Sequence, residues 1–254
     1  MIEMISIDLS NYCSKQCPFC YNHSTKEGKV MWKPEEVIAF AKYCIAHGVK
    51  AVSLGGGEPF EYDGLVDIID ALYPLCYLSI TTNGLPLERD GGKWWNILKE
   101  HHPDKIHITL HNADNKREFN RVANQIRKLD KNYPDIKAGC NLLIPASEVK
   151  ECREAYRTLT RWYYVTPDRI ILVPMRFGDT PTPMEVLRVA DWTPFQSPSC
   201  LKGCQKPTNF VSVSWDKKVN FCSYAGGKQP LETLDYAGLM KALDKVEWKS
   251  CLEQ

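Results

Sequence analysis

The sequence predicts an α/β protein built on a mostly parallel sheet, and three features carry that expectation. Short apolar runs alternate with helix-length amphipathic segments through about the first 175 residues. The alternation is strand then helix throughout, the pattern of βα units joined by right-handed crossovers. The composition is that of a folded domain, with 44% hydrophobic and 25% charged residues in a chain of 254, which excludes a disordered or fibrous chain. Length alone allows one domain or two.

Taken in order, strands are predicted at 5–9, 51–54, 77–81, 106–110, 136–144 and 170–173. Helices are predicted at 34–47, 64–75, 93–101, 116–132 and 148–164, the first with Pro34 in its opening turn. Six such repeats suit a doubly wound sheet or one curled toward a barrel, but are too few for a full eight-stranded barrel. From 178 to 207 the texture changes. Pro181, Pro183, Pro194, Pro198 and Pro207 follow in quick succession without a helical period, which reads as a boundary or wrapping linker. Beyond it a β-hairpin is predicted at 211–215 and 219–222, turning at Asp216, Lys217 and Lys218, with a helix at 231–246. This tail is too short to bury a large core alone.

Lys plus Arg is 32 against 31 Asp plus Glu, so the formal charge gives no case for a nucleic-acid partner. No apolar run reaches the roughly 18 to 20 residues that span a bilayer, and the opening Met-Ile-Glu-Met carries acid where a signal peptide carries base. No membrane partner is expected, and the localisation expected is cytoplasmic. The first strand follows almost at once, so no leader-recognition segment is expected ahead of it.

Cysteine is the anomaly. Eleven is a high count for a reducing compartment, and an odd one, so metal or redox chemistry is the leading explanation. Cys44, Cys76, Cys140 and Cys152 are scattered through helix and strand patterns and read as buried structural thiols. The others cluster at the two ends. Cys13, Cys17 and Cys20 sit in the loop after the first strand, where parallel α/β folds place their sites. With His23 they could form a closed tetrahedral zinc site; an iron-sulfur cube on three thiolates would instead keep one iron open. Cys200, Cys204, Cys222 and Cys251 could ligate one further cluster fully, could leave it an iron open to substrate if Cys200 or Cys251 is not a ligand, or could hold a structural zinc.

The spacing CxxxCxxC, with aromatic Phe19 before its last cysteine, resembles the signature of the radical S-adenosylmethionine (SAM) superfamily. Gly55-Gly56-Gly57-Glu58-Pro59, at the end of the second strand, is similar to that family's GGE(P) motif. Asn83 stands in a Thr-Asn-Gly turn after the third strand, also seen in many such enzymes. The resemblance implies a partial (β/α)6 TIM-like barrel over 1–180. It implies a [4Fe-4S] cluster on Cys13, Cys17 and Cys20 whose open iron chelates SAM, with Gly56, Gly57 and Glu58 at the SAM ammonium. It further implies Thr109 and His111 at the ribose and the backbone around Val173 and Met175 at the adenine. An electron passed through the cluster would cleave SAM to methionine and a 5'-deoxyadenosyl radical that takes hydrogen from substrate.

A cysteine before a hairpin whose second strand ends in cysteine resembles the opening of the SPASM and twitch auxiliary-cluster domains. The region 181–254 is accordingly expected to be a small β-hairpin plus helix extension carrying an auxiliary [4Fe-4S] cluster on Cys200, Cys204, Cys222 and Cys251. Lys217 stands where that family's turn has glycine, and no later CxxC pair follows. The expected substrate is a small molecule or a peptide, and the expected electron donor is a flavodoxin or ferredoxin. The alternatives are an enzyme like carboxy-deazaguanine synthase, acting on a nucleoside precursor, and a non-catalytic iron-sulfur or zinc scaffold. Glu58 separates these, since a scaffold has no need of it.

Overall fold

The computed structural model describes residues 1–176, 178–193 and 205–251. Its first elements are β1 (Met4–Asp8), α1 (Pro34–Ala46), β2 (Ala51–Gly55), α2 (Leu65–Leu72), β3 (Tyr77–Thr82) and α3 (Lys93–Ile97). Then come β4 (Lys105–Leu110), α4 (Lys116–Asn132), β5 (Lys137–Ile144), α5 (Val149–Trp162), β6 (Ile170–Pro174) and α6 (Pro183–Val189). The chain closes with β7 (Phe210–Val213), β8 (Lys218–Asn220), β9 (Gln229–Pro230) and α7 (Tyr236–Asp244). Two compact units result, Met1–Asp104 with Lys206–Gln254, and Lys105–Gln205. This division by contacts crosses the boundary at 180 expected from the sequence, because the hairpin strand β7 joins the first unit by pairing with β1.

In the first unit β1 lies between β2 and β7 and is parallel to both, β3 pairs with β2, and β8 and β9 continue antiparallel beyond β7. The register sets Ser6 beside Ser53 and Ser212, and Ser53 beside Ser79. Strand side chains alternate between faces, so this serine row lies opposite Ile5, Ile7, Val52, Leu54, Leu78, Ile80, Val211 and Val213, all buried. The apolar face belongs to the core with Phe40 and Cys44 of α1, Ile68 and Leu72 of α2 and Leu239 of α7. Each such aliphatic or aromatic side chain contributes about 1.5–3 kcal/mol by leaving water. The serine face is small and polar.

The second unit is a parallel sheet of β4, β5 and β6. Helix α4 buries Val122, Ala123, Ile126 and Leu129 on one stripe, and its Asn115 cap accepts the Arg117 and Glu118 amides at 3.0 Å. Its strands again carry one polar face, with His107 and Thr109 of β4 beside Gly139 and Asn141 of β5. Among the described residues, the strand order closes on itself in neither unit.

The proline-rich stretch contains a helix that its texture hid. Thr182 caps α6 in a reciprocal box with Glu185, and Pro183 opens its first turn. Cys44, Cys140 and Cys152 are fully buried and their thiols are pushed up to about 12 by burial; half-buried Cys76 is pushed up to about 11. Cys44, Cys140 and Cys152 are the buried thiols expected, whereas Cys76 is only partly buried. No helix among the described residues is long and apolar enough to cross a membrane.

Candidate active site

The loop after β1 folds back on itself. Cys13 N–H donates to Thr25 O (2.9 Å), Thr25 N–H to Asn11 O (3.0 Å) and Asn11 N–H to Lys29 O (3.1 Å). Within it, Cys20 N–H reaches Cys17 O (3.1 Å) and His23 N–H reaches Cys20 O (3.0 Å), so successive tight turns space the thiols. Buried Asn22 ties the return limb to the loop's start by donating to Ser10 O and Ser24 Oγ, each at 2.9 Å. Cys13 is buried, while Cys17 and Cys20 are half-buried.

The glycine turn after β2 docks onto this loop. Gly57 N–H donates to Ser10 O (2.7 Å) and Glu58 N–H to Tyr12 O (2.9 Å). A Cβ on Gly57 would stand 1.9 Å from Tyr12 O, and one on Gly56, at φ +102°, 2.7 Å from Ser10 O. The cysteine loop itself therefore requires glycine at both positions.

Glu58 is 1% exposed. Its Oε1 accepts from Thr82 Oγ1 (2.6 Å) and Phe60 N–H (3.1 Å), and its Oε2 from Asn83 N–H (2.8 Å). Asn83 in turn donates from Nδ2 to Cys13 Sγ (3.5 Å). The Thr-Asn-Gly turn thus links the buried carboxylate to the first cysteine. Burial pushes Glu58 up to about 7 against the pull of its three donors. Burial also raises Cys13, with a backbone hydrogen bond at Lys15 opposing and the Glu58 charge adding. Glu61 accepts from Ser14, beside Cys13, and from Arg89 at 2.6 Å.

In the second unit, Thr109 and Val173 are half-buried on β4 and β6. His111 N–H and Nδ1 lie 3.1 and 3.2 Å from Glu118 Oε1, with Arg121 3.8 Å from the same oxygen. Met175 N–H donates to Ile144 O (2.8 Å), so the sheet already uses that donor. His107, buried beside Thr109, holds Asn141 Oδ1 at 2.8 Å and is pushed down to about 3 by burial.

In the tail, Cys222 is half-buried and Cys251 buried. Gly226 bridges Lys249, and the Phe221 and Trp248 rings meet edge-on at 6.5 Å, so the two cysteine-bearing segments run side by side. Cys200 and Cys204 lie outside the described residues.

Residues 7–146, more than half of the chain, match the family model of the Radical SAM superfamily. The chain belongs to the radical SAM superfamily. Among curated relatives, it is 31% identical over 116 residues to a probable GTP 3',8-cyclase of Methanocella arvoryzae, covering 46% of this chain and 36% of the relative. It is 33% identical over 138 residues to one of Sulfurisphaera tokodaii, covering 54% and 42%. The matched stretch is thus less than half the length of either relative. Among solved structures, Streptococcus suis SuiB bound to S-adenosylmethionine superposes with TM-score 0.73 at 16% identity, over 97% of this chain and 67% of that one. The enzyme anSMEcpe with bound AdoMet gives 0.67 at 13%, over 98% and 82%. These likenesses share the barrel-like fold, here with an open sheet.

Membership makes the protein a radical SAM enzyme that uses a [4Fe-4S] cluster and SAM, and the first unit's residues fit both. Soft thiolates are the donors such clusters take. Among the described residues no three His, Cys, Asp or Glu side chains converge on a single ion, and His23 is exposed. A cubane takes one thiolate per iron corner, and its ligands stand around it instead of meeting at a point. For SAM, a carboxylate oxygen has about two acceptor sites, and Glu58 Oε2 uses one.

Sequence reasoning passed over Asp8. It is fully buried at the end of β1, accepts from Tyr21 Oη (3.1 Å) through Oδ1, and has no hydrogen-bond partner at Oδ2. Burial pushes it up to about 6, with the Lys228 charge pulling back. The signal was present, an acid inside an apolar run.

Proposed function

We propose that Cys13, Cys17 and Cys20 hold the [4Fe-4S] cluster and that Glu58 accepts the SAM ammonium beside it. The observation that carries this reading is the line from Glu58 through Asn83 to Cys13 Sγ, which sets a buried carboxylate with acceptor capacity to spare one residue away from the first thiol. When bound, cluster and SAM supply the reductive cleavage that yields methionine and a hydrogen-abstracting 5'-deoxyadenosyl radical. The chain's own residues bind, orient and exclude water. Phe19 and the glycine turn wall the cluster, Asn83 donates to the Cys13 sulfur, and an ammonium at Glu58 would hold that carboxyl ionised despite its burial. Thr109, His111, Val173 and Met175 are proposed to meet the nucleoside part of SAM, His111 in the orientation Glu118 gives it.

The substrate we propose is a small molecule or a peptide that loses hydrogen, with a flavodoxin or ferredoxin as the donor of electrons. Residues 181–254 act in this reading as a functional extension whose Cys200, Cys204, Cys222 and Cys251 hold one auxiliary [4Fe-4S] cluster; the side-by-side Cys222 and Cys251 segments support it. A nucleotide substrate is the second reading. It is favoured by the curated relatives named as probable GTP 3',8-cyclases, which share with the carboxy-deazaguanine-synthase-like alternative a substrate of the nucleotide kind.

The test is 5'-deoxyadenosine formation from SAM by anaerobically reconstituted protein under chemical reduction. The native chain is expected to form it, and the Cys13→Ala, Cys17→Ala, Cys20→Ala triple variant is expected to form none. Zinc in place of iron, or equal product from the triple variant, overturns the assignment. Loss of iron beyond one cluster on changing Cys222 and Cys251 to Ala checks the auxiliary site.

A further inference from the structure

The first unit contains a cavity of about 380 Å³ between the return limb of the cysteine loop and the C-terminal hairpin, with Tyr21, Asn22, Trp215, Lys218, Gly227 and Lys228 among its walls. Tyr21 follows Cys20 directly. Trp215 lies just past the end of β7, which runs parallel to β1, so both walls stand at the strand ends where the cysteine loop begins. The volume suits a small molecule or one residue of a peptide and is too small for a folded partner.

The two lysines in its wall differ. Lys218 Nζ is 2.6 Å from Asp216 Oδ2, and that pair is largely self-satisfied. Lys228 has no carboxylate oxygen within ion-pair distance among the described residues. Its charge reaches the buried Asp8, but the two make no hydrogen bond. The backbone holds Lys228 in place from both sides. Gly227, at φ +78°, packs so closely that a Cβ would stand 2.6 Å from Glu247 O, and Gln229 pairs with Val219 in the β8–β9 ladder. An ammonium on a backbone-anchored residue, with no carboxylate oxygen within ion-pair distance among the described residues, on the wall of a cavity lined also by Trp215 and Tyr21, is the chemistry that holds an oxyanion attached to a flat or apolar body.

We propose that this cavity is a substrate subsite for an oxyanion, a carboxylate or a phosphate, anchored by Lys228. The proposal rests on the reading above and narrows it to an acidic substrate.

The test is equilibrium binding of inorganic phosphate and of acetate to the full reconstituted chain without SAM, followed by calorimetry at ionic strength held constant with chloride. The native protein is expected to bind one or both anions, the preferred one telling phosphate from carboxylate. Lys228→Gln is expected to weaken that binding at least tenfold, Lys228→Arg to restore most of it, and Lys218→Gln to change it less than threefold, with iron content unchanged in all three. Circular dichroism confirms folding. No binding of either anion at millimolar concentration overturns the proposal, as does equal binding by Lys228→Gln or binding that chloride abolishes. Failure to form 5'-deoxyadenosine would sink the functional reading instead, and this readout is independent of it.

Discussion

The two units treat their functional candidates differently. In the first, loop and turns are locked into one another: the Gly56–Gly57 backbone touches Ser10 and Tyr12, Glu58 gathers donors from two turns, and Asn83 reaches Cys13. In the second, each candidate is held by its nearest element, His111 by Glu118 of α4 and Met175 by the edge of β5. In the proposed reading, the interlocked loops of the first unit would hold the cluster and the strand ends of the second would receive the nucleoside end of SAM.

The sharpest way to break this comparison is at the thiols. The triple alanine variant of Cys13, Cys17 and Cys20 is expected to lose the first cluster's iron and all 5'-deoxyadenosine, checked by iron analysis and chromatography. His111→Ala in the second unit is expected to leave iron content intact. Next come matched glycines. Gly57→Ala meets Tyr12 O at 1.9 Å and Gly139→Ala meets His107 Nε2 at 2.3 Å. Each is expected to cost about 1–3 kcal/mol in denaturant unfolding, but only Gly57→Ala should also lower cluster loading.

Glu58→Gln turns an amide N–H₂ toward a backbone N–H donor on either side, that of Phe60 beside the Thr82 hydroxyl or that of Asn83. We expect at least tenfold weaker SAM binding with near-native iron, together with about 1–3 kcal/mol lost stability from the mismatched donors. Equal SAM affinity would make Glu58 purely structural.

The smallest effect concerns pH. The folded Asp8 carboxyl is raised from 3.8 to about 6, so the native state binds the proton more tightly than the unfolded chain does. Its contribution is therefore full below about pH 4 and is lost as pH rises through 6, by at most about 3 kcal/mol. Asp8→Asn is expected to flatten the melting-temperature profile across that window. An unchanged slope would refute burial as the cause.

Much of the fold was legible. Six strands and the five helices between them were predicted close to their observed bounds because period-two and helical patterns follow from which face each element buries. The α6 helix was missed because prolines masked a Thr-x-x-Glu cap, and β9 because two residues carry no period. The candidate site was legible where chemistry is written in residue types, in the three thiols, the glycine turn and Glu58, which the structure brings together through Asn83. Asp8, Glu61, Glu118 and Lys228 were not, because an isolated charge in a sequence carries no sign of its partners.

The sequence by itself determined the parallel α/β class, the cysteine chemistry and the membership they implied, since spacing and periodicity are local properties. Only the tertiary structure decided that β7 pairs with β1, that the glycines serve the cysteine loop, and that Asp8 is buried within the electrostatic reach of Lys228. Those facts depend on contacts between segments up to about 200 residues apart, whose closure is settled by burial and hydrogen bonding across the whole fold and leaves no periodic trace in the chain.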